Sequence, residues 1–197
     1  MKRRSLLLAA ALPLMSAAAR AATAAAPALK AGVFEPAQPA PDFTLDGSDG
    51  ARIAPARFKG RVVALVFGYT NCPAVCPTTL ATLAQARKTL GADAADVQVL
   101  YVTVDPERDD LARIRQYLAA FDPTFVGASG APERLAALRK RLGIVAEKVP
   151  DPAGGYGINH SSSIYLIDRA GRLRAMMPYG HDAKDYVHDF KLLLAAR

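Results

Sequence analysis

The chain has 197 residues, of which 51% are hydrophobic and 22% charged, with two cysteines and no tryptophan. That length supports one full core plus a short appendage, and the composition excludes disordered, collagen-like and disulfide-rich chains; no apolar run reaches the roughly 18 residues that cross a bilayer. The net charge is +7, yet Lys2, Arg3, Arg4 and Arg20 precede every acidic residue, and removing those four cations leaves +3, with no basic run and no aromatic-basic interleaving to suit a nucleic acid.

The chain begins as an export signal would. Lys2-Arg3-Arg4 precedes an apolar stretch from Leu6 to Met15, and small residues follow with cleavage-type patterns at Ala19-Arg20-Ala21 and Ala22-Thr23-Ala24. A mitochondrial transit peptide shares the absence of acidic residues, and an uncleaved anchor is the other rival, although the apolar stretch is short and broken by Pro13. Residues 1–24 are therefore expected as a signal peptide or short N-terminal anchor, and the protein as periplasmic or tethered facing the periplasm. Thr23 to Gln38 is rich in Ala and Pro, and 25–38 is expected as a linker to a single domain over 39–197.

Arg61 to Gly68 is continuously apolar after its first residue, as a strand buried on both faces of a sheet is. Pro77 suits the first turn of a helix whose apolar stripe is Leu80, Leu83 and Leu90. Val97 to Val104 reads as a second buried strand. Asp109 is placed to cap a helix with Leu111, Ile114, Leu118 and Phe121 at helical spacing. Pro132 opens another, with Leu135, Leu138 and Leu142 on one side. Val145 to Asn159 is rich in Pro, Gly and charge and is expected as a loop. Ser162 to Asp168 and Arg172 to Met177 form a hairpin through Arg169-Ala170-Gly171. A last helix runs from about Asp182 to Ala195 with Val187, Phe190 and Leu194 inward. The order predicts an α/β three-layer sandwich with a mixed sheet.

Cys72-Pro73-Ala74-Val75-Cys76-Pro77 lies between the first buried strand and its helix, where sites form in open α/β sheets. A helix N-terminus favours thiolate over thiol. A structural disulfide here closes so short a loop that chain entropy supplies only about 2 kcal/mol. On a helical turn the two Cα atoms would stand about 6 Å apart, wide for an S–S bond, although Pro77 draws Cys76 out of helical geometry. A shared metal is the alternative: two soft thiolates suit Cu(I) or Zn(II), and a third ligand is then needed. Of the three histidines, His188 falls on a polar helix face and His181 at a helix start. His160 ends the Gly-rich loop directly before a strand, a position that leaves structural and ligand roles both open.

Phe67-Gly68-Tyr69-Thr70-Asn71-Cys72-Pro73-Ala74-Val75-Cys76-Pro77 resembles the signature of the SCO/SenC copper chaperones. Pro41-Asp42-Phe43-Thr44-Leu45 resembles their opening strand, which related peroxiredoxins share. Val102 to Asp109 resembles their second strand and turn, and His160 to Asp168 their histidine strand. The resemblance covers about Pro41 to Leu194. It implies a thioredoxin-like fold, one copper ion held by Cys72, Cys76 and His160, and delivery to the copper A centre of cytochrome c oxidase or a related copper enzyme. A copper donor and a thiol reductant are implied partners. Two thiolates and an imidazole independently suit trigonal Cu(I), and accommodate Cu(II) with an added weak ligand. Asp105 ends the second strand and is either an acceptor that orients the cysteine loop or a carboxylate serving its own turn. Tyr69 and Asn71 are expected at the rim or as ordinary strand-end residues. Met176 and Met177 are expected as packing. The leading reading is a metallochaperone rather than an enzyme. A thiol-disulfide oxidoreductase using Cys72 and Cys76 is the alternative, and a thiol peroxidase the third, for which no activating Arg is placed by motif.

Overall fold

The computed structural model describes residues 28–152 and 154–196. The expected signal or anchor over 1–24, and the start of the expected linker, lie outside the described residues. Among the described residues no helix is long and apolar enough to cross a membrane.

The centre of the fold is β4 (Val62–Gly68), buried at every position, paired in parallel with β5 (Val97–Thr103), which is equally buried. Parallel β6 (Val126–Ser129) follows. On the other side of β4, antiparallel β9 (Ile164–Ile167) and β10 (Arg172–Met177) form the expected hairpin. With β1 (Gly32–Pro39), β2 (Leu45–Gly47) and β3 (Arg52–Ile53), they make one mixed sheet in the order β1-β10-β9-β4-β5-β6-β2-β3. Alternate β4 side chains serve two cores, as the pleat requires. Val62, Ala64 and Val66 pack with α1 (Val75–Leu90), α2 (Leu111–Ala119) and α4 (Ala183–Ala195). Val63, Leu65 and Phe67 pack with α3 (Pro132–Leu142). The three-layer α/β sandwich with a mixed sheet is thus present.

Several local expectations are corrected. The linker expected over 25–38 is ordered into the domain at its C-terminal half. Lys30 N and Ala31 N donate to the buried Asp189 carboxylate at 2.7 and 2.9 Å, and β1 then pairs with β10. Its prolines, which suggested a linker, are tolerated because β1 is an edge strand with no outer neighbour, and its register breaks between Val33 and Gln38. Of Pro41–Leu45, expected as an opening strand, only Leu45 lies in a strand, as the first residue of β2. The expected loop over Val145–Asn159 holds a two-stranded ribbon, β7 (Ala146–Pro150) with β8 (Tyr156–His160). The cap of α2 is Asp110, whose side chain accepts from Arg113 N at 2.7 Å. Asp109 is wholly buried and acts elsewhere. Phe121 lies beyond the end of α2 but still packs on the core. Val187 and Leu194 are half-buried, while Tyr186, Phe190 and Leu193 carry the inward face of α4.

Candidate metal centre

The site forms where β4 ends. Cys72 lies in the turn that follows, its N–H donating to Tyr69 O at 3.1 Å. Cys76 lies in the first turn of α1, helical despite Pro77 beside it. The N-cap position of α1 is Ala74, which offers no side-chain acceptor. The Cys72 sulfur takes up that role and accepts from Cys76 N at 3.4 Å. A helix end that directs its free N–H at a sulfur stabilises the thiolate.

The third group arrives from β8. His160 Nε2 stands 3.5 Å from Cys76 Sγ, and the three donor atoms of Cys72, Cys76 and His160 all lie within 4.8 Å of one another. Among the described residues they are the one such grouping of three or more metal-ligating side chains. His160 Nδ1 is 2.9 Å from Ser161 O, a contact that needs the proton on Nδ1 and leaves the Nε2 lone pair facing the sulfurs. This is the tautomer a metal ligand requires. Both cysteines are free thiols, Cys76 buried and Cys72 partly exposed. Two thiol sulfurs and one imidazole nitrogen, with one sulfur open to solvent, fit a soft, low-coordinate cation.

The two thiols differ sharply. The Cys72 thiol is pulled down to about 4, first by the hydrogen bond from the Cys76 thiol, then by backbone N–H groups of Cys76 and Ala74 and by the His160 ring, against the effect of burial. The Cys76 thiol is pushed strongly upward by that same hydrogen bond and by burial. The pair therefore shares one proton, held on Cys76.

Two buried carboxylates hold the parts together, and the role of Asp109 differs from the expected cap. Asp109, expected as a helix cap, accepts from Thr70 N at 3.0 Å, Thr70 Oγ1 at 2.6 Å and Thr103 Oγ1 at 2.7 Å. It ties the residues just before Cys72 to the end of β5. Arg113 donates to Thr70 Oγ1 at 2.6 Å and to Asn71 Oδ1. Asp105 accepts from Arg108 Nε at 2.5 Å and Tyr156 Oη at 2.9 Å, so its hydrogen bonds run within its own turn and to the histidine ribbon rather than to the cysteine loop. Arg108 also donates to Tyr156 O at 2.9 Å and stacks 3.7 Å over the Tyr156 ring. Tyr69 completes the brace. Its hydroxyl accepts from Ile158 N at 3.3 Å, and its ring meets the His160 ring edge-on at 5.8 Å.

The other histidines lie apart from this site. His181 and His188 pair with Asp185 and Asp189, each at 2.9 Å. Met177 is buried and Met176 packs on the core. Arg108, Tyr156 and Tyr101 were not singled out from the sequence, and Asp109 was read only as a helix cap. Tyr101 carried the clearest signal, because a hydroxyl inside a continuously apolar strand needs a partner.

Comparison with known proteins places this geometry. The mitochondrial SCO2 homolog of Mus musculus is 33% identical over 158 residues, 79% of this chain and 62% of that protein. The chain spans about half to two-thirds of the length of the curated relatives it matches. The copper-bound structure of Bradyrhizobium japonicum ScoI is 35% identical with a TM-score of 0.73, covering 79% of this chain and 99% of that one. Apo Sco1 from Thermus thermophilus is 33% identical with a TM-score of 0.76, covering 87% and 100%. These neighbours share the thioredoxin-like arrangement of the sheet and its helices. The SCO1/SenC family profile matches residues 33–195, from the edge strand to the last helix, and this chain belongs to that family.

Proposed function

We propose that the protein is an extracytoplasmic copper chaperone. It binds one copper through Cys72 Sγ, Cys76 Sγ and His160 Nε2 and delivers it to the copper A centre of cytochrome c oxidase or a related copper enzyme. The observation that carries this reading is the convergence of two sulfurs from one turn and a correctly protonated imidazole from β8 within 4.8 Å. The similarity to a copper-bound ScoI supports the choice of metal. The relatives named as mitochondrial and the basic, apolar N-terminus support a location outside the cytoplasm. Three ligands with one partly exposed sulfur leave Cu(I) open to attack by an acceptor thiolate, so transfer proceeds by exchange of ligands. A copper donor supplies the ion. Oxidation of Cys72 and Cys76 to a disulfide removes two electrons and the one proton the pair shares and abolishes the site, so a thiol reductant must restore it.

A second reading, thiol-disulfide oxidoreductase, is favoured by the low-lying Cys72 thiol with a neighbouring thiol to resolve a mixed disulfide. It leaves His160 without a task. For a peroxidase the difficulty is the arginines: Arg108 and Arg113, which reach the residues around the loop, are engaged by Asp105 with Tyr156 and by Thr70 with Asn71.

Copper stoichiometry and X-ray absorption on the reduced full chain test the proposal. One copper with two sulfur neighbours and one nitrogen is expected. His160→Ala is expected to weaken copper binding by at least about tenfold while any disulfide reductase activity survives. Unchanged affinity in that variant defeats the three-ligand centre.

A further inference from the structure

Tyr101 sits on β5, opposite Val66 of β4, in the core between the sheet and helices α1, α2 and α4. The residue is fully buried, and its hydroxyl has no hydrogen-bond partner among the described residues. A buried, unpaired hydroxyl costs stability, and a phenylalanine of the same shape would avoid that cost. The position of the hydroxyl gives it a use. Gly68 ends β4, and a methyl group there would come within 2.7 Å of Tyr101 Oη and 2.8 Å of Cys76 Sγ. The hydroxyl and the buried sulfur thus close on the same point, left free because residue 68 has no side chain. The other group near Tyr101 is Tyr117, whose ring lies 6.1 Å away and whose hydroxyl is likewise unpaired.

We propose that Tyr101 is a positioning residue of the metal centre, its O–H donating to the Cys76 thiolate in the copper-bound state and favouring Cu(I) over Cu(II). The inference rests on the copper reading above. A thiolate that accepts a hydrogen bond gives less electron density to its metal, which stabilises the lower oxidation state and tunes the reduction potential from the protein side. Gly68 is required for the same contact, because any side chain there would separate the two groups.

Tyr101→Phe tests this, with Tyr117→Phe as the control, in the reduced full chain loaded with one equivalent of Cu(I) or Cu(II). Loss of one hydrogen bond to a charged sulfur is expected to lower the ratio of Cu(I) to Cu(II) affinity by about tenfold, measured by chelator competition. The sulfur-to-Cu(II) charge-transfer band is expected to move to lower energy. Tyr117→Phe should match the parent in both. Melting of the metal-free Tyr101→Phe protein should be unchanged or raised, because the unpaired hydroxyl is gone. An unshifted band and ratio, with X-ray absorption still reporting two sulfurs and one nitrogen, overturns the role of Tyr101 and leaves the copper centre standing. An equal shift in Tyr117→Phe also overturns it, by showing that Tyr101 is not the specific donor. Absence of sulfur neighbours to copper in the parent protein is a different signature, and it overturns the copper reading and the role of Tyr101 together.

Discussion

Copper affinity is expected to rise about tenfold with each unit of pH above roughly 5, close to a thousandfold between pH 5 and pH 8. The sign follows from the two thiols. Cys72 is pulled down to about 4 and is a thiolate throughout that range. Cys76, pushed upward by its bond to Cys72 and by burial, keeps its proton. A metal must displace that single proton to gain its second sulfur, so binding competes with one hydrogen ion and strengthens as pH rises. Titration calorimetry in buffers of different ionisation enthalpy should report about one proton released from the thiol pair per copper. Release of two protons would show that Cys72 is not held as a thiolate, and release of none would show that Cys76 is already ionised.

Asp109→Ala is expected to cost about 3–5 kcal/mol of stability and to loosen the metal centre with it. The carboxylate is fully buried and satisfies the Thr70 amide and two hydroxyls. Its removal leaves these donors facing one another inside the protein, and Thr70 is two residues from Cys72. Urea unfolding of the metal-free chain should show the loss, and copper affinity should fall beyond that of the parent. By contrast, Asp110→Ala removes only an exposed helix cap, worth about 1 kcal/mol, with copper affinity unchanged. A result in which both variants lose stability equally would mean that Asp109 does not carry the loop.

How far the sequence reveals this arrangement depends on the kind of signal involved. The apolar run over β4 and the Cys-Pro-Ala-Val-Cys-Pro turn are dense local signals, and both are where they were expected. The hairpin of β9 and β10 was equally visible, because Gly171 and its neighbours punctuate two apolar stretches. The ribbon of β7 and β8 was not, since Pro150, Gly154 and Gly155 mark a loop and the pairing that overrides them is tertiary. Strand β1 was hidden for the same reason: the stretch up to Gln38, with Pro36, read as a linker, and only the place of β1 at the sheet edge makes Pro36 and Pro39 acceptable. Asp109 and Asp110 are adjacent and chemically identical, so nothing local says which caps the helix and which turns inward to hold Thr70. The convergence of His160 on the sulfurs, 84 residues from Cys76, came from resemblance and not from spacing.

The margins of the main sheet bear on how this protein meets others. One margin is β1, with two prolines and a broken register, and the other is β3, only two residues long. Neither is a good template for an added strand, which protects against self-association through the sheet. A visiting protein must then be met through side chains at the exposed rim beside Cys72. A contact of that kind can be undone without tearing apart a ladder of backbone bonds, as the proposed hand-over of copper to an acceptor requires.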